Sequence, residues 1–305
     1  MSGRARAFDV AVRFVNDHAH DLVKRTLEAY AANPGTDLRL PRAAKKAATV
    51  EEGTLRDVPF LAFMPKGKAR TTIVYAPGGG GTLEPLSFQL TFAARLSAAA
   101  QARVVVGRYP KGPQANAIDA INWVERLYID AYVKQGKEDT FLMGDGIGAN
   151  LCLAISAQTD AKPTGLICVS PDTGLAEGDQ RASLEACAHD DQLVASTFPL
   201  TMREAFFGPL SFASALVNPR SITFDHHFPP TLMLYGGKEM YRAQDKALIE
   251  TMHASDVHVE SHRYDDLPHC GALMTAFPEH RDAIARMATF VESRLDAEGD
   301  ATGRR

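Results

Sequence analysis

The sequence is poor in the features that mark secreted, membrane and nucleic-acid-binding proteins. It has no apolar run near the ~20 residues of a membrane helix, and residues 1–10 lack the apolar segment of a secretory signal. Lys and Arg number 33 against 37 Asp and Glu, a net charge of −4 without the basic excess of nucleic-acid binders. The cysteines form no C-x-x-C pair and are Cys152, Cys168, Cys187 and Cys270. We therefore expect a cytoplasmic protein with free thiols, no membrane span and no nucleic-acid partner.

What the sequence does contain is a regular alternation of strand and helix patterns. Helices are predicted at Phe8–Ala32, Pro41–Ala48, Pro85–Ala100, Ala115–Lys134, Ala149–Ala157, Tyr241–Ala254 and Met274–Leu295. Strands are predicted at Val50–Leu55, Val58–Met64, Thr71–Ala76, Arg103–Gly107, Thr140–Met143, Leu166–Ser170, Thr231–Tyr235 and Val257–Arg263. This alternation indicates a mainly parallel sheet covered on both faces, an α/β fold. The segment 172–229 breaks it, and a long irregular insertion of this kind is typical of a lid.

Glycines surround residue 146, between a predicted strand and a predicted helix, in the run Gly144–Ala149. Two kinds of site use this layout: the nucleophile elbow G-x-S-x-G and the dinucleotide turn G-x-G-x-x-G/A, which the run matches literally. A dinucleotide turn normally follows the first strand of its domain, whereas several strands precede this one. A dinucleotide turn would also leave a second glycine-rich loop, Pro77–Gly81, without an explanation. The elbow accounts for both loops and predicts no cofactor.

The motifs and their order resemble α/β-hydrolases of the hormone-sensitive-lipase type, an esterase and lipase family. The loop Pro77–Gly81 is similar to the family's His-Gly-Gly-Gly loop, with Pro77 in place of the histidine. The run Gly144–Ala149 is similar to its Gly-Asp-Ser-Ala-Gly-Gly elbow. Pro229–Leu232 is similar to its Pro-Pro-Thr-Leu strand and Pro268–Gly271 to its histidine loop. The resemblance extends from about residue 50 to 295.

The resemblance implies an α/β-hydrolase fold with a mainly parallel, eight-stranded-type sheet, helices on both faces and a helical cap. Residues 1–48 would form the N-terminal part of the cap and residues 172–229 its insertion. The core would comprise residues 49–171 and 230–297, followed by a frayed tail at 298–305. The implied partner is a small-molecule ester or acid, with no metal and no cofactor. The oligomeric state is not predicted.

The resemblance also implies the roles of individual residues. Glu239 and His269 correspond to the acid and the base of a catalytic triad, and the oxyanion donors would be the amides of Gly78, Gly79 and Ile147. The position of the nucleophilic serine is Gly146. Because glycine has no side chain to attack a carbonyl, acyl-enzyme chemistry cannot begin at this residue.

Three interpretations of Gly146 follow. The chain is an inactivated variant of a serine esterase, with little or no activity as written. Alternatively, it is a natural pseudo-hydrolase whose pocket binds a small molecule or a protein. In the third interpretation, His269 activates a water molecule directly. The sequence leaves all three open.

Overall fold

The structure, a computed structural model, describes residues 38, 40–137, 139–172, 186–188, 190–191, 205–211 and 213–302. Eight strands form one sheet in the order β1-β2-β4-β3-β5-β6-β7-β8. They are β1 Thr49–Leu55, β2 Val58–Met64, β3 Thr71–Ala76, β4 Ala102–Gly107, β5 Thr140–Gly146, β6 Gly165–Pro171, β7 Thr231–Gly236 and β8 Val259–Tyr264. Strand β2 is antiparallel to both of its neighbours, and all other pairs are parallel. The predicted mainly parallel, eight-stranded sheet is confirmed.

Helices cover both faces of this sheet. They are α1 Arg42–Ala47, α2 Ser87–Ala100, α3 Ala117–Lys134, α4 Ile147–Gln158, α5 Arg242–Ala254 and α6 His280–Thr302. Apolar side chains of α3, α4 and α5 pack on one face, and those of α1, α2 and α6 on the other. Because both faces are covered, every residue of β3, β5 and β6 is buried. The continuous apolar runs of these central strands reflect that double burial.

Two predictions at the C-terminus are wrong. The last helix begins at His280 rather than Met274, because residues 274–279 form turns that follow a 3-10 turn at Gly271–Leu273. Pro278 lies in those turns, and proline is not tolerated inside a helix. At its other end the helix continues to Thr302, so most of the tail predicted to be frayed is helical.

The predicted cap lies only partly within the described residues. The helix predicted over Phe8–Ala32 is outside them. Of the insertion 172–229, the structure describes short helical pieces at residues 186–188 and 205–207 and a 3-10 turn at Pro219–Ser221. Phe206 and Phe207 from this segment are buried in the main core. The described part of the insertion is therefore packed against the α/β domain.

Candidate active site

The nucleophile position lies at the junction of β5 and α4. Gly146 is the last residue of β5 and has φ 51° and ψ −126°, in the left-handed half of the backbone map. The turn brings main chains together, because a Cβ on Gly148 would lie 1.9 Å from the carbonyl oxygen of Ala76. A Cβ on Gly144 would lie 2.3 Å from the main chain of Gly148. Glycine at 144 and 148 thus allows the sharp strand-to-helix turn predicted for an elbow.

His269 and Glu239 lie next to this turn. His269 belongs to the loop after β8, and a Cβ on Gly146 would lie 3.4 Å from its Nε2 atom. The Nδ1 atom on the other side of the ring lies 3.6 Å from Oε2 of Glu239, in the loop after β7. The carboxyl ends of parallel strands share one edge of a sheet, which is why the three residues meet. The structure brings together the positions predicted for nucleophile, base and acid.

Glu239 and His269 each favour the charged form of the other, and their pKa values are shifted accordingly. Burial alone raises the pKa of Glu239, but the nearby imidazole of His269 favours its ionised form, so the pKa is lowered overall. Burial alone lowers the pKa of His269, yet the neighbouring acidic groups raise it above the ordinary value. Because burial raises the pKa of Cys270 to about 12, that thiol is neutral at neutral pH. The negative charge that favours the imidazolium form of His269 is therefore that of Glu239.

Asp145, beside the nucleophile position, is the centre of a buried hydrogen-bond network. Its Oδ1 atom accepts from the Tyr75 hydroxyl at 2.5 Å and from the Gly78 amide at 2.9 Å. Its Oδ2 atom accepts from Nε2 of Gln89 at 2.8 Å. The Gly78 amide is thus engaged, so the structure does not support its predicted role as an oxyanion donor. Sequence reasoning missed Tyr75 and Gln89, because only the tertiary fold brings them to Asp145.

The other two predicted donors flank the same turn. Gly79 follows Gly78 with φ 124°, a value that glycine adopts readily. Ile147 is the first residue of α4, where an amide N–H has no carbonyl partner within the helix. The positive end of the helix dipole also favours negative charge at this point. The amides of Gly79 and Ile147 therefore remain the candidates for oxyanion donors.

Two adjacent aspartates of the insertion 172–229 bind the loop that carries Glu239. Oδ2 of the buried Asp191 accepts from the amide of Met240 at 2.9 Å. Oδ2 of Asp190 pairs with Nη2 of Arg242 at 2.7 Å. Met240 directly follows Glu239, so the insertion helps to fix the loop that presents the acid.

Within the described ranges, no group of three or more His, Cys, Asp or Glu side chains is placed to hold a metal ion. Among the helices of those ranges, none has both the length and the apolar character needed to cross a bilayer.

A family profile decides the assignment. The profile of the alpha/beta hydrolase fold family matches residues 73–273, which include the glycine loop, the elbow, Glu239 and His269. The chain belongs to this family. The fold of this α/β-hydrolase agrees with that assignment, because its eight-stranded, mainly parallel sheet and its strand-to-helix turn are those predicted from the sequence.

This α/β-hydrolase is also similar to individual esterases. An esterase of Acinetobacter venetianus is 28% identical over 237 residues, which cover 75% of this chain and 77% of that protein. A hormone-sensitive lipase from a metagenome library has a TM-score of 0.80 and 21% identity, covering 95% of this chain and 98% of that one. An esterase from the bacterial hormone-sensitive lipase family has a TM-score of 0.74 and 21% identity, covering 90% and 97%. The predicted resemblance of this α/β-hydrolase to that type is confirmed.

Proposed function

We propose that this chain is an esterase-type scaffold for small carboxylic esters in which acyl transfer is disabled at Gly146. One observation carries the proposal. Nε2 of His269 faces the point where a Cβ on residue 146 would stand, at 3.4 Å, while Nδ1 faces Glu239. A serine hydroxyl built on that Cβ would come within hydrogen-bonding reach of Nε2, which is the relation between nucleophile and base. As written, the chain has the base and the acid but nothing for them to activate.

With a serine at 146, the residues of this chain would supply a complete acyl-transfer sequence. The hydroxyl oxygen would attack the ester carbonyl while Nε2 of His269 takes its proton. The carbonyl π electrons would move to oxygen, where the amides of Gly79 and Ile147 would donate hydrogen bonds. The imidazolium would then protonate the departing alcohol, and water would release the acid by the same steps. Glu239 would stabilise the imidazolium throughout.

The test is hydrolysis of p-nitrophenyl acetate and butyrate by the unmodified chain, Gly146→Ser and Gly146→Ala. The unmodified chain and the alanine variant should stay near background. The serine variant should be faster by at least about 10²-fold, since a missing triad serine costs up to ~10⁶-fold in kcat. Its rate should rise with pH through the raised pKa of His269, because only the neutral imidazole accepts a proton. Gly146→Ala is the matched control, because it adds the Cβ without the hydroxyl.

Other outcomes would favour the alternatives. Rapid turnover by the unmodified chain that disappears in His269→Asn would indicate direct activation of water. A folded but inactive Gly146→Ser variant would contradict the proposal. If the unmodified chain then shows a thermal shift with butyrate or another small acid, the pseudo-hydrolase interpretation as a binding module would replace it.

A further inference from the structure

Ser170 contacts the loop that carries His269, although it belongs to a different part of the chain. It is the penultimate residue of β6 and is fully buried. Its Oγ atom accepts a hydrogen bond from the amide of Cys270 at 3.0 Å. Cys270 follows His269 directly, so this bond fixes the main chain next to the base.

The hydrogen bond from the Cys270 amide also bears on the pairing of His269 with the acid. Nδ1 of His269 lies 3.6 Å from Oε2 of the buried Glu239. Among the described residues, neither carboxylate oxygen of Glu239 has a hydrogen-bond partner. The distance between the imidazole and this carboxylate therefore depends on how firmly the loop that carries His269 is held, and Ser170 contacts that loop.

The backbone on both sides of this hydrogen bond is unusual. Ser170 has φ 45° and Cys270 has φ 53°, a region that residues other than glycine seldom adopt. Each costs about 1 kcal/mol or more relative to the right-handed region. Strained residues of this kind concentrate at functional sites, where the surrounding structure enforces them. Here the enforced conformation aims Oγ of Ser170 at the Cys270 amide.

The end of β6 also touches the elbow. Pro171 pairs with Gly146 across the sheet, and the amide of Asp172 donates to the carbonyl oxygen of Gly146 at 3.2 Å. Residues 170–172 therefore contact the elbow on one side and the histidine loop on the other. Within this segment, the side chain of Ser170 makes the contact to the histidine loop.

We propose that Ser170 is a positioning residue whose hydroxyl, by accepting from the Cys270 amide, holds His269 in place against Glu239. The inference rests on the proposed function, since it concerns the same base and acid. Charged and titratable groups around His269 are Glu239, Cys270 and Asp145, and the ring of Tyr241 lies 5.5 Å from the imidazole. Loss of the Ser170 hydroxyl leaves all of these in place, so its effect can be measured separately.

The decisive variant is Ser170→Gly. Glycine removes the hydroxyl and also relieves the strain at φ 45°, so stability should change little or increase. Titration of His269 by NMR in the otherwise unmodified chain should nevertheless show its pKa falling by about one unit, because the pair with Glu239 is loosened. Ser170→Ala, which keeps the strain, should give the same shift with a lower melting temperature. Ser97→Ala is the matched control: it removes another buried hydroxyl, whose oxygen lies 2.9 Å and 2.8 Å from the carbonyl oxygens of Phe63 and Ala102, and should leave the titration of His269 unchanged.

A second readout uses activity. In the Gly146→Ser background, Ser170→Gly should lower kcat by about 10-fold or more and leave KM nearly unchanged, since the hydroxyl does not touch substrate. If Ser170→Gly leaves both the titration of His269 and kcat unchanged, Ser170 has no positioning role. If Gly146→Ser is itself inactive, the proposed function fails, and the titration alone decides the role of Ser170.

Discussion

The carboxylate of Asp145 accepts the amide proton of Gly78 at 2.9 Å, across the neighbouring strands β3 and β5. The glycine-rich loop is thus held by a side chain next to Gly146, and not by Glu239 or His269. Tyr75 and Gln89 complete the contact and bury it. The conformation of the loop therefore depends on a carboxylate outside the proposed triad.

We predict that Asp145→Asn lowers the free energy of unfolding by about 2 kcal/mol, the cost of a broken buried hydrogen bond. The new amide group would face Nε2 of Gln89, which donates to Asp145 at 2.8 Å, so two donors would meet. Urea denaturation measures the change. The double variant Asp145→Asn with Gln89→Glu reverses donor and acceptor and should recover about half of the loss. An Asp145→Asn variant as stable as the parent would mean that the carboxylate does not hold the loop.

Residue 146 offers a separate test of backbone strain. A Cβ there meets no heavy atom closer than 3.4 Å, so the cost of Gly146→Ala is that of φ 51° alone. Because φ 51° with ψ −126° is a sparsely populated region for residues other than glycine, we expect about 1–3 kcal/mol less stability. Gly136→Ala is the matched control, because φ is 88° and no atom lies within 4 Å of its Cβ. Gly148→Ala, whose Cβ would lie 1.9 Å from Ala76 O, should cost far more than either. Equal losses at 146 and 148 in thermal unfolding would contradict this account.

Most of the sheet was predictable from the sequence, and so was the proximity of Gly146, Glu239 and His269. Strands such as β3 were predictable because their apolar residues are continuous, and the elbow because glycines separate a strand from a helix. The partner of the Gly78 amide was not predictable, since motif order identifies a loop but not the atom that each amide meets. The same holds for Ser170, whose partner lies 100 residues further along the chain. Local patterns contain no information on contacts of this range.

Adjacent aspartates allow a direct comparison of buried and exposed contacts. Asp191→Ala would leave the buried amide of Met240 without its acceptor, and we expect a loss of about 1–3 kcal/mol in stability. Asp190→Ala removes an ion pair with Arg242 whose side chains are 43% and 25% exposed, and it should cost less than about 1 kcal/mol. Chemical denaturation at neutral pH measures both. An order of effects opposite to this would show that the insertion is held by the ion pair.

His280 should make stability depend on pH. Its ring lies 2.8 Å from Nη1 of Arg95 and 3.0 Å from the carbonyl oxygen of Leu273. Burial and the charge of Arg95 lower its pKa to about 4. The neutral ring therefore favours folding above pH ~6.5, and this contribution is lost as the pH falls towards 4. We expect a loss of about 1–2 kcal/mol over that interval, measured by urea unfolding. In His280→Gln this part of the pH dependence should disappear; an unchanged profile would exclude His280 as its source.

The turn at residue 146 is shaped by the close approach of Gly144, Gly148 and Ala76, none of which is the nucleophile position. Glycine and serine codons can differ by a single nucleotide, and the folded scaffold has room for either side chain at 146. Gain or loss of acyl transfer is thus a one-step mutation that leaves the architecture in place. Selection can act on catalysis at this site separately from selection on folding.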